Sequence, residues 1–163
     1  MKESEFDRKS VTSVLNEILE VELAGVVRYT HYSFMVYGFN RIPIVSWLRE
    51  QAVESMSHAQ EAGELITQLG EHPSLAIGPL LETHKHDVGD ILKESLENER
   101  EGLALYRRLL ELVTGRSVLL EDYARRMICA EEKHLDEVDK MLRRPGDVAS
   151  SMGSDGSRRA RSK

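Results

Sequence analysis

An all-α fold, an antiparallel bundle of four helices with one long crossover between the second and third, is what this sequence predicts. Three observations carry that expectation. Charged residues make up 31% of the 163-residue chain and aromatics only 6%, a balance that suits amphipathic helices better than sheets. Apolar residues recur at three- and four-residue steps through four separate segments, which is the helical period. Two of the three breaks between those segments are short and the middle one is long.

The first segment runs from about Ser10 to Tyr37, with Gly38 placed as a stop. Pro43 stands where a first helical turn tolerates proline, and the second helix continues from there to about Leu69, ending at Gly70. Asp87 is a good N-cap for the third, which ends at Thr114 and Gly115, and Ser117 can cap the fourth, which stops at Pro145 and Gly146. The turns at 38–42 and 114–117 force antiparallel hairpins. Between helices two and three lies EHPSLAIGPLLETHKH, residues 71–86, with two prolines, a glycine and no helical stripe. At roughly 3.3 Å per extended residue, against about 1.5 Å per helical residue, it can travel the length of a helix, so the third helix is expected to start beside the start of the second. Residues 1–144 form the bundle. Residues 145–163 are rich in Ser, Gly and Arg, lack apolar periodicity and read as a disordered tail.

Composition narrows the function. With 28 acidic and 22 basic residues and a net charge of −6, the bundle offers no nucleic-acid surface and would suit cations. The single cysteine, Cys129, excludes an internal disulfide and a four-cysteine metal site and fits a reducing, cytoplasmic compartment. The N-terminal MKESEFDRKS has no apolar core of a signal peptide, and no apolar run approaches the roughly 20 residues that span a bilayer.

Charges interrupt the core-facing seams. The first helix gives Val11, Leu15, Ile18, Glu22, Gly25, Tyr29, Tyr32 and Val36; the third gives Leu92, Ser95, Glu99, Gly102, Tyr106, Leu109 and Val113. Each carries a glutamate, a glycine three residues on and a tyrosine seven on, which is an internal repeat. The second helix contributes Ser55 and His58, and the fourth Glu131 and His134, where Glu-x-x-His suits a metal. Glu22 precedes His58 by almost the same interval as Glu99 precedes His134. Two hairpins related in this way bring Glu22, His58, Glu99, Glu131 and His134 to one depth. Ionised carboxylates are costly to bury unpaired, and no lysine or arginine lies in these seams. A bound metal is the natural counter-charge. One glutamate from each of two helices plus Glu-x-x-His from each of the others is the di-iron carboxylate pattern, and its donors suit iron or manganese, with zinc a competitor.

At this point the sequence resembles the bacterioferritins, of the ferritin-like di-iron carboxylate superfamily. LNEILEVELAGVVRYTHYSFMVYG resembles that family's first helix, with Glu22 at a terminal ligand and Tyr29 at the tyrosine near the site. LKESLENEREGLALY places Glu99 at the third-helix ligand, AEEKH places Glu131 and His134 at the fourth-helix pair, and MSHA places His58 at the second-helix histidine. Met56 falls at the family's axial haem methionine. The resemblance covers about residues 10 to 144. It implies a hollow shell, cytoplasmic iron storage and detoxification, oxidation of ferrous iron by dioxygen or peroxide at a di-iron site, and haem b between subunits. The implied catalytic residues are Glu22, Glu99, Glu131 and Tyr29.

Two departures shape the expectation. Ser55 replaces a bridging glutamate, and the tail lacks the short apolar fifth helix that packs around the shell's channels. A serine hydroxyl is a neutral, weak ligand, so the metal nearest His58 is expected to be held weakly. Glu54 is next door, but adjacent helical positions differ by about 100°, which turns it out of the seam unless the helix deforms; the resemblance places it near the inner mouth of the site. The alternative reading is a haem-binding or structural subunit without ferroxidase activity, in a homo-oligomer or in a mixed shell with a second bacterioferritin subunit. A peroxide-reducing di-iron enzyme lacks support because no rubredoxin-like cysteines are present; a DNA-protecting mini-ferritin is suggested only by the basic RRAR of the tail. His84 and His86, bracketing Lys85 in the crossover, could pair on a metal, although loop histidines are more often simply solvated. His31 and His72 have no partner visible in the sequence, and Cys129 reads as packing.

Overall fold

The computed structural model describes residues 6–80 and 83–150. Four helices follow in order: α1 (Arg8–Met35), α2 (Arg41–Gln68), α3 (Val88–Val113) and α4 (Val118–Leu142). Helix α1 starts slightly before Ser10 because Asp7 caps it, its carboxylate accepting from the backbone N–H groups of Lys9 and Ser10. At its other end Arg41 closes the hairpin turn by donating to the carbonyls of Val36 (2.6 Å) and Ser33 (3.3 Å). These are among the carbonyls that a helix end leaves without a partner. Asp87 and Ser117 cap α3 and α4 as their positions in the sequence predict.

Helix α1 packs against α2, α3 against α4, and α1 against α3. The crossover runs along α1 and is tied to it at successive levels. Ser74 bonds Asn16 and Glu20 (2.7 and 2.5 Å), the N–H of Gly78 donates to the carbonyl of Glu20 (2.8 Å), and Arg28 donates to the carbonyl of Pro79 (3.0 Å). A Cβ on Gly78 would lie 3.2 Å from that carbonyl oxygen, so glycine lets the crossover come this close to α1 without a shift. Beyond it, Thr83 donates to Glu94 (2.6 Å), which also accepts from Tyr32. The third helix therefore begins beside the end of α1 and the start of α2, as the length of the connection predicts.

The core is divided along the bundle axis. One end holds Val11, Leu15, Ile66, Tyr106, Leu109 and Tyr123; the other holds Tyr29, Tyr32, Val36, Leu48 and Ile91, with Leu92, Leu103 and Val138 beside it. Polar residues are sandwiched between these apolar ends. After α4 the chain turns back, with Arg143 donating to the carbonyl of Val148 (2.8 Å) and Ser150 to Asp139 (3.2 Å). The rest of the expected disordered tail, including RRAR, lies outside the described residues. No described helix is long and apolar enough to cross a membrane.

Candidate metal centre

The polar layer contains the five residues that the seams single out, plus Ser55. Nδ1 of His58 lies 3.4 Å from Oε1 of Glu22 and 3.5 Å from Oε1 of Glu131. The donors of this triad all fall within 4.8 Å of one another, the one such group among the described residues. Across the centre, Nε2 of His134 is 3.7 Å from Oε1 of Glu99. A small cavity of about 10 Å³, lined by Ser55, His58, Glu99, Glu131 and His134 among others, joins the two halves. It is close to the space that one water or ion occupies.

The repeat has a structural reason. Tyr106 on α3 donates to Glu22 on α1 (2.8 Å), and Tyr29 on α1 donates to Glu99 on α3 (2.5 Å). Each tyrosine orients the glutamate of the other half, and the hydroxyl of Tyr29 also lies 3.1 Å from Nε2 of His134. Such outer contacts fix the direction of a ligand and tune its basicity.

Burial dominates the electrostatics. It pushes the Glu99 carboxyl up to about 8, with the charge of Glu131 adding to the effect and His134 and Tyr29 pulling against it. Glu22 is raised by burial as well, partly offset by His58. For His58 burial opposes the charge, but the carboxylates of Glu131 and Glu22 outweigh it and raise the imidazole to about 10. Burial raises both Tyr29 and Tyr106 well above the ordinary phenol range, so each stays a donor. A proton on His58 thus sits between two carboxylates where a cation would serve. Oε2 of Glu131 is buried without a hydrogen-bond partner, an uncompensated acceptor of the kind that a metal satisfies. The donor set, its burial and this oxygen fit iron.

Residues 12–145 match the Ferritin family, described as a ferritin-like domain. The chain belongs to this family. Solved structures agree on the ferritin-like fold. A ferritin-like, di-iron carboxylate protein of Bacillus anthracis superposes with a TM-score of 0.80 at 24% identity, covering 86% of this chain and all (100%) of that one. The dodecameric thioferritin of Bacteroides fragilis, a bacterioferritin-related protein, gives 0.78 at 23% over 84% of this chain and 86% of that one. Rhodobacter capsulatus bacterioferritin, with a metal-free dinuclear site and haem iron, gives 0.74 at 22% over 85% and 86%. No curated protein matches the sequence.

Within this ferritin-like bundle, Ser55 is buried with its hydroxyl against α1, where a Cβ on Gly25 would stand only 2.9 Å from it. Two placements bear on the sequence reading. The half nearest His58, expected to be the weaker, is the one whose three donors converge. Glu54 turns out of the seam as expected and stands half-exposed at the mouth, with Oε1 3.8 Å from Nε2 of His58. Its position four residues before His58 is the signal, because such pairs share a helical face. Trp47, which the seams omit, stacks on His134 with ring centres 5.8 Å apart and planes 3° from parallel. Nothing in its sequence neighbourhood announces that contact. Met56 is 38% exposed on the outer face of α2, one turn after the exposed Val53.

Proposed function

We propose that this ferritin-like protein binds and oxidises ferrous iron within the bundle, for storage and detoxification, as the bacterioferritins it resembles do. The observation that carries the reading is the convergence of Glu22, His58 and Glu131 beside Glu99 and His134, in a buried layer whose carboxylates have the proton of His58 standing where a metal would. Glu22 and His58 would hold one iron and Glu99 and His134 the other, with Glu131 available to both. Bound iron supplies the electrons for reduction of dioxygen or peroxide. The chain buries the site, orients the carboxylates through Tyr106 and Tyr29, and releases the protons of His58 and Glu99 as metal enters. Glu54 at the mouth offers entering cations a first carboxylate. Ser55 and the small cavity leave room for a solvent oxygen in the place of a bridging carboxylate.

Assembly is part of the same reading. Phe34, Tyr37, Phe39 and Ile42 are exposed around the α1–α2 turn, and apolar groups so clustered suit contact between subunits of a shell, homomeric or mixed. The test is aerobic addition of ferrous iron to the metal-free protein, followed by gel filtration. Ferric iron formed faster than in buffer and eluting with a large assembly supports the proposal; oxidation at the buffer rate sinks it.

A second reading rests on Met56. Its thioether faces outward beside Val53, where a haem shared with a partner subunit would find an axial ligand and an apolar wall. In that case Ser55 marks a haem-binding or structural subunit without ferroxidase activity. A haem-loaded preparation whose Soret band disappears in Met56→Ala supports it, and a band unchanged by that substitution removes it.

A further inference from the structure

The crossover brings together three histidines that are far apart in the sequence. His31 projects from the last turns of α1, and its ring centre lies 6.0 Å from that of His86; His86 in turn lies 6.4 Å from His84. With metal–nitrogen bonds of about 2.0–2.1 Å, two imidazoles on one ion have ring centres roughly 5–6 Å apart. The Nε2 atoms of His31 and His86 are shielded from solvent, whereas His84 is exposed.

The backbone around them is fixed on both sides. Thr83 is bonded to Glu94 through its N–H (3.2 Å) and its hydroxyl (2.6 Å), and Asp87 caps α3. Between these anchors His84 takes φ +56°, the one positive value at a non-glycine among the described residues. A side chain held in the left-handed region marks a local constraint. On the α1 side, His31 lies against Tyr32, ring centres 6.4 Å apart, and Tyr32 donates to the same Glu94.

We propose that His31, His84 and His86 form a second metal site, apart from the centre of the bundle, that takes a borderline transition ion such as Zn²⁺ or Cu²⁺ and pins the end of the crossover to α1. Three imidazoles and no carboxylate favour such ions over hard cations, in contrast to the carboxylate-rich centre. The donors do not yet converge as those of Glu22, His58 and Glu131 do, so the exposed ring of His84 turns inward on binding. The site is independent of the iron reading, since none of its residues belongs to the central layer.

The experiment is a zinc titration of the metal-free full chain, counting bound zinc in the unmodified protein and in His84→Ala and His86→Ala. The expected result is one zinc per chain fewer in each variant, with the zinc held by the bundle centre retained; that remaining zinc is recognised by its loss in Glu131→Ala. Equal zinc counts in the unmodified protein and His84→Ala overturn the proposal. His84 is exposed, so its removal leaves the fold intact and the test stands even where His86→Ala is unstable. Bound Cu²⁺ gives a second readout: imidazole nitrogen couplings in its electron paramagnetic resonance spectrum should weaken in His84→Ala, and an unchanged spectrum contradicts the site.

Discussion

The two halves of the centre use the same residue types but are assembled to different degrees. On the α1–α2 side Glu22, His58 and the shared Glu131 already point their donors at one place. On the α3–α4 side Glu99 and His134 are 3.7 Å apart, with the hydroxyl of Tyr29 within hydrogen-bond reach of both. The helix that carries Ser55 belongs to the more convergent half. What holds that half together without metal is a proton on His58, drawn up to about 10 by the carboxylates on either side. On the other half the counterpart is a proton on Glu99, raised to about 8 chiefly by burial. One half stores its proton on a base and the other on an acid.

The largest effect should come from the residue that the halves share. Glu131→Ala removes a donor from both and is expected to abolish tight iron binding at both positions, read as irons bound per chain. Breaking one half at a time sharpens the comparison. His58→Ala should remove the tighter-binding iron and His134→Ala the weaker; if both variants lose the same one, the halves are equivalent.

The next effect is on Ser55. Ser55→Glu supplies a carboxylate to the joint between the halves, reaching into the small cavity that Ser55 lines. Iron oxidation should speed up and the second iron should bind more tightly. An unchanged rate would show that solvent already fills the bridging place.

Smaller effects follow from the protons. Glu99 and His58 both bind a proton more tightly folded than unfolded, because their folded values, about 8 and about 10, exceed the ordinary 4.5 and 6.5. The stability this contributes is complete below the ordinary values and is lost as pH rises through the folded ones. The melting temperature of the metal-free protein should therefore fall between about pH 6.5 and 8, the window in which both groups lose stability together. A flat or rising profile would remove the proton-for-metal account. Iron affinity should move in the opposite sense and rise with pH, since binding displaces both protons. The smallest change is expected from Tyr106→Phe and Tyr29→Phe, each losing one orienting hydrogen bond and about 10- to 100-fold in affinity, Tyr106→Phe at the Glu22 half and Tyr29→Phe at the Glu99 half.

How much of this was legible in the sequence differs between fold and site. The four helices and the crossover were readable because apolar periodicity and capping residues such as Asp87 and Ser117 act locally. The polar layer was readable because Glu22, Glu99, Glu131 and His134 interrupt otherwise apolar seams. What the seams could not show was which donors meet across helices. The exchange of Tyr29 and Tyr106 between halves, the stacking of Trp47 on His134 and the arrival of His31 beside His86 all join residues far apart in the chain. Glu54 turns out of the seam as its position predicts and is half-exposed, and its long side chain still comes near His58, four residues on along the same helical face.

The most direct test of the central claim is an anaerobic titration of the metal-free protein with ferrous iron, counting irons bound per chain. The account predicts two, taken up in two steps of unequal affinity, with the tighter step lost in His58→Ala. No tight binding, or binding that survives Glu131→Ala unchanged, would contradict it.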